Sequence, residues 1–329
     1  MEIINQRDFL RDALFLEKMG GGASEYCLSE DETKFIKVFY FEKHMIFQQE
    51  LEGINNIITS AGGKNKVPDF MLLPEAVISD NDKYCFVYET HQGTQDIHTY
   101  LCEGGGSMNE KLFKQLLRCF LDCFNWMCQH RLAHRDYKME NCIIWFDEFG
   151  KATIKIIDFA FVSSYDEVNV LGTPGMWPVD LRLFLCNPST SEPIDLGSKK
   201  YKDKEVKQYF INCWEKAPLR DIDSEGWKKI DTLIKKSNFT VNRRYLVKKL
   251  IRAIYTTIFP SESGKYHDMY TLVMIFQQFF MLKEQIMMSD SLINALQKII
   301  GNKSYLHWSD LRKQFDEGLE ELMRIIQTS

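Results

Sequence analysis

One short stretch of the chain concentrates the groups that can do chemistry. His134, Arg135, Asp136, Tyr137, Lys138, Met139, Glu140 and Asn141 run consecutively, and Ile156, Ile157, Asp158, Phe159 and Ala160 follow after a short interval. A carboxylate, an amine and an amide on one loop, with a second carboxylate after an apolar strand, suit the movement of a phosphoryl group from Mg-ATP to a hydroxyl. Such a transfer asks little covalent work of a protein. It asks for neutralised phosphates, a held metal ion and one hydroxyl in line with the leaving group. Asp136 would accept or orient the hydroxyl proton, and Lys138 would sit near the transferred phosphate. Asn141 and Asp158 are hard oxygen donors of the kind Mg²⁺ prefers.

The run from His134 to Asn141, with Asp158-Phe159 beyond the Ala152 to Ile157 segment, resembles the eukaryotic-type protein kinase family. In that family His-Arg-Asp-x-Lys-x-x-Asn is the catalytic loop and Asp-Phe-Gly holds the metal. The resemblance implies an α+β, bilobal kinase-like fold with a small β-rich N-lobe over 1–89 and a larger helical C-lobe over 90–329. It also implies ATP and Mg²⁺ as cofactors, with Lys138 pointing to serine or threonine hydroxyls of protein substrates.

Other segments fall into place against that family. Leu16 to Cys27 looks like the glycine-rich hairpin over the ATP phosphates, with Gly20 and Gly22 as phosphate-cradling positions and Glu25 where the third glycine is expected. Lys34 to Phe39 alternates as a half-buried strand does, and Lys37 takes the place of the ATP-anchoring lysine, with Lys34 the other candidate. Phe47 to Ile54 has apolar residues at helical spacing, which offers Glu50 as the ion-pair partner of Lys37 and Glu52 as the alternative. Tyr84 to Gly93 reads as a buried strand running into the hinge. Backbone groups of Glu89 and His91 would pair with adenine there, and Tyr88 would be the bulky residue behind it. Asp96 or Gln95 could reach the ribose, while a helix cap starting near Ile97 explains Asp96 equally well.

The second half carries further family features and one anomaly. Gly172 to Asp180 resembles the end of an activation segment, with Asp180 in place of the usual glutamate and proline shifted to Pro178. Thr173 would bridge Asp136 and Lys138. Asn169 stands where a phosphorylated threonine is common, and Asp166 and Glu167 could supply that negative charge permanently, so activity without activation-loop phosphorylation is expected. His267 to Phe276 resembles the buried helix whose aspartate, here Asp268, braces the catalytic loop. Arg312 is the candidate for the family's late arginine. An insert over about 181–264 separates these segments. Its apolar pattern, with Leu233, Ile234, Leu246, Val247, Leu250 and Ile251, argues for packed helices. Its basic doublets, among them Lys235-Lys236 and Arg243-Arg244, read either as a solvated face or as a docking surface for an acidic or phosphorylated protein partner.

Ala160 replaces the glycine after Asp158-Phe159 and should restrict backbone switching. A kinase-shaped scaffold or a small-molecule kinase are the competing readings. Composition fits one large domain: 329 residues with 45% hydrophobic content can bury a sizeable core. A net charge of −5 argues against a whole-molecule nucleic-acid binder. No apolar run is long enough for a membrane span and no secretory signal is visible. Nine cysteines without a CxxC pair suggest reduced thiols and a cytoplasmic setting, and Cys119, Cys123 and Cys128 fall on a helical core pattern over Leu112 to Gln129.

Overall fold

The computed structural model describes residues 3–4, 14–15, 25–28, 33–80, 83–167, 172–173, 202–216, 224–236, 239–258, 262–301 and 308–327. The chain divides into two compact units. One comprises Met1–His130, Met139–Ser163 and Glu284–Met287; the other comprises Arg131–Lys138, Ser164–Lys283 and Met288–Ser329.

The first unit is built on a six-stranded sheet. Its strands are β1 (Ile3–Ile4), β2 (Leu14–Phe15), β3 (Glu25–Leu28), β4 (Lys34–Tyr40), β5 (Ala76–Asp80) and β6 (Lys83–Glu89), in the order β1-β5-β6-β4-β3-β2. All neighbours are antiparallel except β1 and β5. Period-two alternation sorts the side chains of β4 and β6 onto two faces. Ile36, Val38, Ile78, Cys85 and Val87 form one buried apolar cluster. Phe39 and Phe86 point the other way and meet Phe47 of helix α1 (His44–Ala61) at ring separations of 5.8 and 5.0 Å. That aromatic layer fixes α1 on the face that also carries Lys37.

Helix α2 (Glu110–Gln129) begins at Asn109, whose side chain accepts the amide of Leu112 at 2.9 Å and so satisfies an otherwise orphaned donor. Its buried stripe includes Phe113, Leu116, Leu117, Phe120, Cys123 and Phe124. Cys119 and Cys123 are buried, as a core role requires, and Cys128 is half-buried. Strand β7 (Gln95–Asp96) belongs to this unit, and β8 (Leu132–Ala133) to the other. A three-stranded sheet orders β10 (Ala152–Ile156), β9 (Cys142–Phe146) and β7.

The second unit is helical. Helices α3 (Asp203–Lys216), α4 (Ser224–Lys236) and α5 (Phe239–Ile258) fill most of the described part of the insert. They pack through Val206, Phe210, Trp227, Ile230, Ile234, Val247, Leu250 and Ile254, all buried at helical spacing. Helix α6 (Ser263–Met281) is buried on nearly every side, whereas α7 (Asp290–Ile300) and α8 (Trp308–Gln327) are amphipathic and pack together. No helix among the described residues is long and apolar enough to cross a membrane.

Candidate active site

In the first unit, Lys37 lies mid-strand on β4, and its ammonium meets the Glu50 carboxylate of α1 at 2.7 Å. Glu50, not Glu52, faces the sheet: it is 1% exposed, while Glu52 is exposed to solvent. Lys34, the other strand lysine, pairs at the surface with Glu75 at 2.6 Å. Lys37 also stands 3.5 Å from Asp158. Complete burial pushes the Glu50 carboxyl up to about 7, against the downward pull of Lys37 and a hydrogen bond from Tyr88, with the nearby Asp158 charge adding to the rise.

Asp158 adopts a left-handed backbone (φ 62°), and Arg135 in the other unit does the same (φ 65°). Non-glycine residues pay for that conformation, and it concentrates where a side chain must be aimed. Asn141 closes a 3-10 turn, Met139–Asn141, and its carbonyl accepts the amide of Ile157 at 2.9 Å. One backbone bond thus ties Asn141 to the residue before Asp158. An amide oxygen and a partly exposed carboxylate suit Mg²⁺, which keeps most of its positions for water and phosphate oxygens. No group of three or more His, Cys, Asp or Glu that could hold a metal occurs among the described residues.

Gly53 on α1 is a residue whose importance the helical pattern hides. A Cβ there would collide with the carbonyl oxygen of Phe159, so glycine lets α1 close on the Asp158-Phe159 segment.

Glu89 ends β6 exposed. The His91 amide donates to Thr94 Oγ1 at 3.2 Å, and the same hydroxyl donates back to the His91 carbonyl at 2.6 Å. The His91 ring stacks on Trp145 of β9 at 4.8 Å. Adenine pairing through the His91 amide would therefore replace its long bond to Thr94. Asp96 spends both carboxylate oxygens on Thr99, on its amide at 2.8 Å and its hydroxyl at 2.7 Å, which is the helix-capping role. Gly20 and Gly22 lie outside the described residues, and Glu25 opens β3 opposite Val38.

In the second unit, Asp136 is buried and its Oδ1 accepts the Thr173 amide at 2.6 Å. Lys138 lies 3.3 Å from the other carboxylate oxygen and donates to the Thr173 hydroxyl at 3.0 Å. Thr173 therefore bridges the two residues. Gly172 (φ 96°) makes this close approach possible, because a Cβ there would strike the carbonyl of Arg135.

Beneath this loop the Asp268 carboxylate accepts the amides of His134 and Arg135 at 2.7 and 2.6 Å. Burial pushes its carboxyl up to about 7 although those two amides and the Arg135 charge favour the ionised form. Burial, aided by Arg135, lowers neighbouring His267 to about 3, so its ring is neutral. The buried Arg135 guanidinium donates to the carbonyls of Ser164 and Glu167 at 2.9 and 2.7 Å. The Asp166 carboxylate turns to Arg131 at 2.9 Å. Arg312 reaches the Tyr266 hydroxyl at 3.3 Å and pairs along α8 with Asp316. Asn169, Pro178 and Asp180 lie outside the described residues.

The family model described as the protein kinase domain matches residues 54–176. That is 123 of the chain's 329 residues, and over them the chain is similar to a protein kinase domain. Its small sheet and mainly helical remainder are the α+β kinase-like fold. The match takes in Glu89 to His91, His134 to Asn141, Asp158 and Thr173. Lys37 and Glu50 precede it, so their pairing rests on their mutual geometry. No curated protein matches the chain.

Sequence reasoning missed two contacts in the first unit, the Tyr88 hydrogen bond to Glu50 and the Gly53 approach to Phe159. The only signal for the second was a glycine inside a helical pattern, and for the first a tyrosine sharing strand parity with the Lys37 face.

Proposed function

We propose that this kinase transfers the γ-phosphate of ATP to serine or threonine hydroxyls of protein substrates. The observation that carries the proposal is the Thr173 bridge, which engages both Asp136 and Lys138 through short polar contacts. Asp136 orients the acceptor hydroxyl and takes its proton as the oxygen attacks phosphorus. Lys138 neutralises charge on the phosphoryl oxygens, and Lys37, held by Glu50, does the same for the phosphates of the donor. The backbone of Glu89 and His91 pairs with adenine; Gly20 and Gly22, expected to cradle the phosphates, lie outside the described residues. Asn141 and Asp158 would hold Mg²⁺, whose charge supports in-line displacement when bound.

We also propose that activity does not require activation-segment phosphorylation. A buried guanidinium needs acceptors, and Arg135 already has the carbonyls of Ser164 and Glu167. The basic insert recruits an acidic protein segment: α5 carries Arg243, Arg244, Lys248, Lys249 and Arg252 and no acidic residue, in a chain of net charge −5. Nine cysteines without a CxxC pair favour a reducing, cytoplasmic setting.

The test is incubation with Mg²⁺, labelled ATP and a mixed peptide library, before and after phosphatase treatment. Label on serine or threonine that survives phosphatase pretreatment of the enzyme supports both proposals. Label on tyrosine alone or on small molecules overturns the substrate class, and no transfer to any acceptor favours a nucleotide-binding scaffold.

A further inference from the structure

We propose that Tyr88 is a positioning residue: its hydroxyl fixes the second oxygen of the Glu50 carboxylate and so locks α1, and through Glu50 the Lys37 ammonium, onto the sheet. The argument begins with strand parity. Phe35 lies opposite Tyr88, and Lys37 opposite Phe86, in the antiparallel ladder of β4 and β6. Directly opposed residues share a face, so Lys37 and Tyr88 are diagonal neighbours on the side that receives α1. Both reach the same carboxylate. Lys37 takes Oε2 at 2.7 Å and the Tyr88 hydroxyl donates to Oε1 at 3.2 Å.

Glu50 is 1% exposed and Tyr88 5% exposed, so water cannot readily replace the bond. A buried carboxylate oxygen stripped of its donor carries a desolvation penalty that a surface one does not. The consequence concerns α1 as a whole. The aromatic layer seats α1 on the sheet, but an ion pair to Lys37 alone leaves the Glu50 carboxylate held by one long, flexible side chain, whereas a second bond, from a tyrosine anchored at the end of β6, gives it two fixed points on adjacent strands. Gly53, one turn after Glu50, places the same helix against Phe159, so a displaced α1 would also disturb the segment carrying Asp158.

The test is a double-mutant cycle read in two ways, by hydrogen exchange of α1 amides and by kcat and KM for ATP. Tyr88→Phe keeps the ring and removes only the donor. It should leave the melting temperature within a few degrees, raise exchange around Glu50 about tenfold, and lower kcat about tenfold with a smaller change in KM. In a Glu50→Met background, where the acceptor is gone, the same substitution should change either quantity less than twofold. Unchanged α1 exchange in Tyr88→Phe, or equal increments in both backgrounds, overturns the proposal and makes Tyr88 a packing residue. If Glu50→Met does not fold, exchange in Tyr88→Phe alone decides. The kinetic arm rests on the phosphotransfer function proposed above and the exchange arm does not. A wild type that transfers no phosphate, with exchange as expected, refutes the function and leaves the positioning role standing.

Discussion

The ammonium of Lys138 donates to the hydroxyl of Thr173 at 3.0 Å. The contact spans 35 positions of chain, and the Thr173 amide extends it to Asp136. Replacing the hydroxyl should separate what the side chain does from what the backbone does. Thr173→Ser should retain most activity, and Thr173→Val, nearly the same shape, should lower kcat on serine and threonine peptides by about tenfold. Steady-state kinetics on one peptide checks this, and equal rates in the valine variant would remove Thr173 from the site.

Asp136→Ala and Asp158→Ala should each reduce transfer on the order of a hundredfold or more while leaving the far-ultraviolet circular dichroism unchanged. Asn141→Ala should be milder, since Asp158 remains to hold metal. Raising Mg²⁺ should restore part of the Asn141→Ala rate and none of the Asp136→Ala rate, because Asp136 acts on the hydroxyl.

Glu50 sets two opposite dependences on pH. Its carboxyl is raised from 4.5 to about 7 by burial, so its contribution to stability is fully present below 4.5 and is lost as pH rises through 7. Its ion pair with Lys37 needs the charged form, which is gained over the same rise. Activity measured at saturating Mg²⁺ should therefore climb as pH rises through about 7, and Glu50→Gln should lack that limb. The melting temperature of the nucleotide-free wild type should fall relative to Glu50→Gln over the same window.

Gly53→Ala should be costly although alanine is the better helix former. The gain in helix propensity is about 1 kcal/mol at most. The added methyl meets the Phe159 carbonyl, a backbone atom that cannot rotate away, and overpacking of that kind costs about 1–3 kcal/mol. Chemical denaturation should show net destabilisation, with activity falling further because α1 and the Asp158 segment are forced apart.

Lys228, Lys229 and Lys236 project from α4 into solvent, opposite its buried Trp227, Ile230 and Ile234. Reversing all three to glutamate should leave the fold and generic peptide phosphorylation intact. It should raise KM about tenfold for acidic protein substrates at low salt, with the difference shrinking as salt is added. A loss of rate on every substrate would instead place α4 within the catalytic machinery.

The local signals in this chain were legible without coordinates because they depend on near neighbours. Alternation in Lys34 to Phe39 and helical spacing around Phe47 to Ile54 reflect the side-chain periods of strand and helix, and the observed elements β4 and α1 overlap both segments. The run from His134 to Asn141 stood out because several chemically demanding groups fall within a few residues. The same logic preferred Glu50 to Glu52, since a two-residue step on a helix moves a side chain to another face. Other features depend on atoms far apart in the chain. Tyr88 meets Glu50 across 38 positions, and Asp268 meets His134 across 134. Asp96 had two plausible roles until Thr99 was seen to occupy both its oxygens. Arg135 donates to the carbonyls of Ser164 and Glu167, acceptors that are invisible in side-chain types. Sequence by itself determined which groups are present and which local elements carry them. Which of those groups touch was decided only by tertiary packing, because a buried donor donates to whichever oxygen the fold delivers within reach.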